Sequence, residues 1–303
     1  GVNIELPEPD CYLHLVELVR EGVLKESELD ELVAPMLAAK FQLGLFEDPY
    51  VDPSEAERIV GNDDHRQLAL EAARKTITLL KNDNGTLPLD ASKLKTLAVI
   101  GPNADREMLG GYSGRPKQHV TVLEGIRQRV GGDVEILYHE GCKITIGGSW
   151  QQDDVTPNDP VEDRRTIAEA AKLAAGADAI VLCIGCNEQT SRDAWMGNPI
   201  VAVLFNGRPL SICNLSEKAA AIFECWYLGQ ESGRAVAEAI FGDFNPGGKL
   251  PITIPRSVGH TPSYYNYKPS ARRGYLFDDV SPLFPFGFGL SYTTFEFGPP
   301  RLE

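Results

Sequence analysis

The sequence contains no apolar run near the roughly 20 residues a helix needs to cross a bilayer. Its amino terminus also lacks the basic, then apolar, then small-residue order of a secretory signal. Gly1 opens what reads as mid-domain sequence, so that lack does not assign a compartment. Positive charge is scarce: 29 Lys and Arg against 43 Asp and Glu give a formal net charge of −14. Such a balance argues against nucleic acid and acidic membranes as partners and suits an uncharged ligand. Cysteine is sparse for a disulfide scaffold, six in 303 residues. Cys183-x-x-Cys186 lies in a strand-like run, away from any helix start, and has no second ligand pair. Two small, partly buried thiols are therefore expected, neither a redox pair nor a zinc site.

Other chemistries fail for want of a motif. His14, His65, His119, His139 and His260 are scattered and no H-E-x-x-H occurs, so no metal site is expected. No G-x-G-x-x-G follows a strand. Pro246-Gly-Gly-Lys249 has Asp243 where a phosphate loop needs its first glycine, and Leu250 where it needs Ser or Thr. No Gly-x-Ser-x-Gly elbow supports a serine triad. Neither metal nor cofactor is expected. Asn84-Gly-Thr and Asn214-Leu-Ser match the glycosylation sequon, a pattern common by chance.

What is present centres on Asp178–Trp195, DAIVLCIGCNEQTSRDAW. Ala179–Ile184 is an unbroken apolar run, as in a strand buried on both faces of a parallel sheet. Past Gly185 the side chains turn polar at once. Ligands of open α/β folds sit just beyond the carboxyl ends of such strands. A solvated loop is the commoner outcome for an arbitrary strand, but the mixture of Glu188, Gln189, Arg192, Asp193 and Trp195 points to a site.

The 303 residues suffice for one large domain or two ordinary ones, and 43% hydrophobic with 24% charged residues is a globular composition. Residues 1–7 alternate as a short strand does. A helix is expected over 11–20, and a second from the Ser27-x-x-Asp30 cap, kinked or started late by Pro35. Prolines, glycine and acids across 44–55 mark a linker, giving a boundary at 46–63. A helix is expected over 63–80, followed by strands at 96–100, 134–138, 179–184, 200–205 and 221–226. Helices at 121–130, 161–175 and 232–241 alternate with them, and 141–160 reads as a loop. The fold class is α/β, a mainly parallel sheet with helices on its faces over 64–255. A surface-running tail fills 256–289, and 290–295 alternates as the start of a further β domain would.

Carboxylate chemistry survives the eliminations. Cleaving a glycosidic bond takes one acid to protonate the leaving oxygen and a second carboxylate across the bond, about 5–5.5 Å away for retention. Asp193 and Glu188 are candidates for one member of the pair. Gln189 and Arg192 could bond sugar hydroxyls, and Trp195 offers a flat face to a pyranose. Ordinary loop charges at Arg192 and Asp193 are an equally weighted reading.

Several stretches together resemble glycoside hydrolase family 3, the three-domain β-glucosidases and β-xylosidases. They are GVNIELPEPDCY, LAAKFQLGLFEDPYVDP, TITLLKNDNGTLPL, LAVIGPNAD, IGCNEQTSRDAW, VLFNGRPLSI, FGDFNPGGKLPITIP and PLFPFGFGLSYTTF, in the family's order over nearly the whole chain. The resemblance implies that 1–45 close an amino-terminal (β/α)8 barrel and that 64–255 form the family's sandwich domain. Residues 290–303 would enter a fibronectin-like domain. It also implies a barrel aspartate as nucleophile, with no counterpart in this sequence, and an acid/base glutamate at the position of Asp193. The shorter side chain withdraws the carboxyl by about 1.5 Å; Glu188 is the alternative donor. A second departure follows Trp195, where the family's loop and helix give way directly to Met196-Gly-Asn-Pro-Ile. The implied activity is that of a retaining exo-β-glycosidase without cofactor, acting on a small oligosaccharide or aryl β-glycoside. A homodimer is the accompanying expectation, and the periplasm or exterior is favoured over the cytoplasm. A non-catalytic carbohydrate-binding or assembly module on the same fold is the alternative.

Overall fold

The computed structural model of the chain describes residues 2–6, 8–109, 113–147, 156–186, 200–266, 279, 281–294 and 298. It divides into two compact units, Gly1–Val60 and Gly61–Glu303. The first holds a 3₁₀ turn (Cys11–His14), α1 (Leu15–Arg20), α2 (Glu26–Gln42) and α3 (Pro53–Ile59). The strand expected over 1–7 is not found among residues 2–6, where no neighbouring strand offers a ladder. The Glu5 carboxylate instead accepts the Cys11 and Tyr12 N–H groups at 2.8 and 2.9 Å, starting the 3₁₀ turn. Helix α2 begins a residue earlier than the Ser27 cap and runs on through Pro35. Glu28 fastens its start by accepting the Lys25 N–H at 2.9 Å. Within the expected linker, Asp52 accepts the Ser54 N–H and Pro53 opens α3, the usual place for proline in a helix.

The second unit runs α4 (Asp63–Thr76), β1 (Thr78–Asn82), β2 (Thr96–Ile100), α5 (Val122–Val130), β3 (Glu135–His139), α6 (Pro160–Ala174) and β4 (Ala179–Gly185). It continues with β5 (Ile200–Phe205), α7 (Cys213–Lys218), β6 (Ala221–Glu224) and α8 (Ser232–Phe241). The sheet order is β1-β6-β5-β4-β2-β3, parallel throughout except that β1 runs antiparallel to β6 at the edge. The α/β class with helices on both faces stands. Leu70, Leu123, Ile126, Val236 and Ile240 of α4, α5 and α8 cover one face, over Val99, Val181, Val203 and Phe223. Ala170, Ala174 and Leu215 of α6 and α7 cover the other, over Ala98, Leu182, Ala202 and Ile222.

The helix expected over 63–80 stops at Thr76, because the next residues are needed on both sides of a sheet. Ile77 and Leu79 enter one core, Leu80 the other. That is the ordinary alternation of a strand, and the register with β6 shifts only after it, at a bulge between Leu79 and Lys81. The apolar spacing at 77–80 fits a helix as well as a bulged strand, so periodicity alone misplaces it. The last strand ends at Glu224, two residues short of the expected Trp226, and α7 was not anticipated. The tail is less superficial than its composition suggests. Leu283, Phe284 and Phe288 pack on the second core, and Ile254 bridges to Phe284.

Local chemistry sets the element ends. Thr121 and Glu124 form a reciprocal cap on α5, with bonds of 3.2 and 3.0 Å. The Asp178 carboxylate accepts the Lys95 and Thr96 N–H groups at 2.7 and 2.9 Å, tying the start of β4 to that of β2. Helices α5 and α8 touch through backbone: a Cβ on Gly233 would lie 1.9 Å from the Thr121 carbonyl oxygen. Gly233→Ala is expected to cost at least about 2 kcal/mol, the upper range of overpacking. Urea denaturation reads it directly, and a change under about 0.5 kcal/mol would mean the helices part freely.

Candidate active site

The winding of the sheet reverses between β2 and β4. From β2 the chain passes through α5 to β3 on one side; from β3 it returns through α6 to β4 on the other. The carboxyl ends of β2 and β4 therefore flank the switch point where open α/β sheets place ligands. The segment 187–199, which carries every candidate side chain, leaves the sheet there. Glu188, Gln189, Arg192, Asp193 and Trp195 lie outside the described residues, so the structure fixes their points of departure and return, Cys186 and Ile200.

The departure point is held from both sides. Gly185 has φ 132°, and a Cβ on it would sit 2.0 Å from the Phe205 carbonyl oxygen, so β4 ends pressed against the backbone of β5. The Cys186 N–H donates to that same Phe205 oxygen at 2.8 Å. From the β2 side, Asn103 is fully buried. Its N–H donates to the Cys183 oxygen at 3.3 Å and its side-chain amide to the Cys186 oxygen at 3.3 Å. The Asn103 Oδ1 is buried without a hydrogen-bond partner.

A second buried polar group lies at the ends of β5 and β6. The Asn206 amide donates to the Arg208 oxygen at 2.9 Å and to Glu224 Oε2 at 3.2 Å, while its Oδ1 has no partner. Glu224 Oε1 accepts the Trp226 N–H at 3.1 Å. Burial pushes the Glu224 carboxyl up to about 8, against the pull of the Trp226, Asn206 and Cys225 donors. It is thus mostly protonated at neutral pH. Its bond to Trp226 helps hold that residue at φ 54°, a left-handed conformation costing about 1–3 kcal/mol outside glycine.

Asn103, Asn206 and Glu224 escaped the reading of the sequence as site residues. Asn206 stands directly after an apolar run, in VLFN, Asn103 three residues past one, in LAVIGPN, and Glu224 closes the apolar run AIFE. A polar residue capping a fully buried run was the available signal. Cys183 and Cys186, expected as partly buried thiols, are both fully buried, and burial pushes the Cys183 thiol up. Among the described residues no group of three or more His, Cys, Asp or Glu is placed to hold a metal ion.

The family description "Glycosyl hydrolase family 3 C-terminal domain" matches residues 77–195 and again 194–292, the two matches meeting at Trp195. A β-xylosidase of Formosa agariphila is 40% identical over 341 aligned residues, covering 100% of this chain and 44% of that protein. A periplasmic β-glucosidase of Salmonella typhimurium is 37% identical, covering 97% of this chain and 44% of that protein. Among solved structures, a β-glucosidase from Erythrobacter marinus superposes with a TM-score of 0.88 at 40% identity, over 99% of this chain and 45% of that one. The chain spans less than half the length of these relatives.

Proposed function

The chain belongs to glycosyl hydrolase family 3, and from that membership we propose that it forms the acid/base half of a retaining exo-acting β-glycosidase, a β-glucosidase first of all. Asp193 is the proton donor in this reading, with Glu188 as the alternative. Gln189 and Arg192 bond sugar hydroxyls and Trp195 stacks on the ring. The nucleophile comes from a barrel that this sequence only borders. The observation that carries the reading is the departure of the Asp193 segment at the switch point of the sheet, anchored by Asn103 and Gly185. The names of the similar proteins, β-xylosidase and β-glucosidase, support the reaction class.

The chemistry follows from the acetal. An alkoxide is a poor leaving group, so its oxygen must gain a proton as the C–O bond breaks. A carboxylic acid within hydrogen-bond reach provides it, and the resulting carboxylate then draws a proton from the water that releases the sugar. The first step needs a second carboxylate on the opposite face of the sugar. This chain alone is accordingly expected to give no turnover of an aryl β-glucoside; rapid hydrolysis would sink the division of labour. The proposed setting is a homodimer in the periplasm or outside the cell. Among the described residues no helix is long and apolar enough to cross a membrane.

The aspartate at position 193 favours a second reading, a carbohydrate-binding module that has given up the chemistry. The two part on the full-length protein: the first requires hydrolysis that depends on a carboxyl at 193 or 188, the second requires none.

A further inference from the structure

The dipeptide Asn-Gly occurs twice in the sequence, at Asn84-Gly85 and at Asn206-Gly207, and the fold places the two in opposite surroundings. Asn84 and Gly85 form the corner that follows β1. Both have positive φ, 54° and 63°, and the Thr86 N–H donates to the Asp83 oxygen at 3.0 Å. Two successive left-handed residues make a tight turn for which Asn-Gly is the preferred pair. Asn84 is exposed, and among the described residues its side-chain amide has no hydrogen-bond partner. Apart from chain neighbours, no atom lies within 4 Å of where a Gly85 Cβ would stand. Asn206, by contrast, is fully buried. Its amide donates to the Arg208 oxygen at 2.9 Å and to Glu224 Oε2 at 3.2 Å, and a Gly207 Cβ would meet the Tyr227 ring at 3.0 Å.

We infer that Asn84 is a site of self-modification, deamidating through a cyclic imide to aspartate and isoaspartate, while Asn206 is shielded from the same reaction. The Gly85 nitrogen gives up its proton and bonds to Asn84 Cγ. The Cγ–Nδ2 bond breaks, and that nitrogen leaves as ammonia with the proton. Water then opens the ring: attack at Cγ yields aspartate, and attack at the main-chain carbonyl yields isoaspartate, with a main chain one carbon longer. Glycine favours the first step because no side chain crowds its nitrogen. To react, Asn84 must leave its left-handed well, which takes only local opening of an exposed turn. Asn206 would have to give up both bonds inside the packed sheet. Conversion at Asn84 sets a new carboxylate beside Asp83, which pairs with Lys81 at 2.9 Å. Isoaspartate there also lengthens a turn whose ends are pinned, since the Asn82 amide exchanges two 2.9 Å bonds with the Leu87 backbone.

The test is incubation of this chain in mildly alkaline heavy-oxygen water, then digestion in ordinary water and mass spectrometry of the peptides. Only conversion during the incubation leaves heavy oxygen in a carboxyl group. A chain unfolded in guanidinium is the reference, in which both dipeptides are free to react. In the folded chain the Asn84 peptide is expected to gain label at least about tenfold faster than the Asn206 peptide, and in two separable isomers. Asn84→Gly, which keeps the left-handed corner without an amide, should remove the label from that peptide. An unlabelled Asn84 peptide from the folded chain overturns the proposal, whatever the unfolded reference does. Equal labelling at the two positions overturns the shielding of Asn206, and label in aspartate alone overturns the imide.

Discussion

In the full-length enzyme, Asp193→Asn is expected to lower kcat/KM on an alkyl β-glucoside by about 10²–10⁴-fold. On a dinitrophenyl β-glucoside kcat/KM should stay within about twofold, because that phenolate departs without a proton. The kcat for the dinitrophenyl substrate should still fall, since breakdown of the glycosyl-enzyme loses its base. This split between leaving groups separates a proton donor from a residue that only shapes the pocket, which would lower both. Asp193→Glu restores the missing methylene and should raise kcat/KM on the alkyl substrate, by up to about 10²-fold if the carboxyl now falls short by an ångström or more. If the loss follows Glu188→Gln and spares Asp193→Asn, the donor is Glu188.

The second large effect concerns stability against pH. Glu224 has a folded value of about 8 against 4.5 for an exposed glutamate, the shift being caused first by burial. Below about pH 4.5 both states carry the proton, and the neutral buried carboxyl contributes in full. As pH rises toward 8 the unfolded chain releases its proton while the folded one keeps it. Stability from this group then falls by about 1.4 kcal/mol per pH unit, and it levels off above the folded value. Glu224→Gln retains an acceptor for the Trp226 N–H and removes the titration. Urea denaturation of both proteins at pH 5, 7 and 9 should show the glutamine variant gaining on the parent by several kcal/mol, on the order of the slope times the interval. Parallel stabilities across that range would mean that Glu224 ionises freely in the fold, contrary to its burial.

How much of this was legible beforehand depended on whether a residue's neighbours in sequence were also its neighbours in space. The central strands 96–100, 179–184 and 200–205 were readable because a strand buried on both faces is nearly all apolar, and each of these ends at a turn residue, Gly101, Gly185 or Asn206. The helices 121–130 and 232–241 announced themselves by apolar spacing, the first with a Thr121–Glu124 cap as well. The run 77–82 was misread because its partner, β6, lies far along the chain, and nothing local says that Leu80 bulges. The strand expected at 1–7 failed for the same reason: a ladder needs a second strand. The polar cluster at 188–195 was picked out by side-chain chemistry and lies outside the described residues. Its anchors at Asn103 and Gly185 were hidden, since a buried amide holding the backbone of another strand looks in sequence like any turn asparagine. Glu224 shows the limit most plainly, because only the packed sheet reveals that its carboxyl is buried.

The pairing of Leu290 with Leu79, whose N–H···O bond measures 2.7 Å, has a consequence for engineering. It brings the first strand and the tail to the same edge of the sheet, so the stretch from Leu79 to Leu290 is a cassette that begins and ends side by side. A cassette of that kind can be moved to another host, or reopened at an exposed loop with its old ends joined, without unthreading any strand from the middle of the sheet.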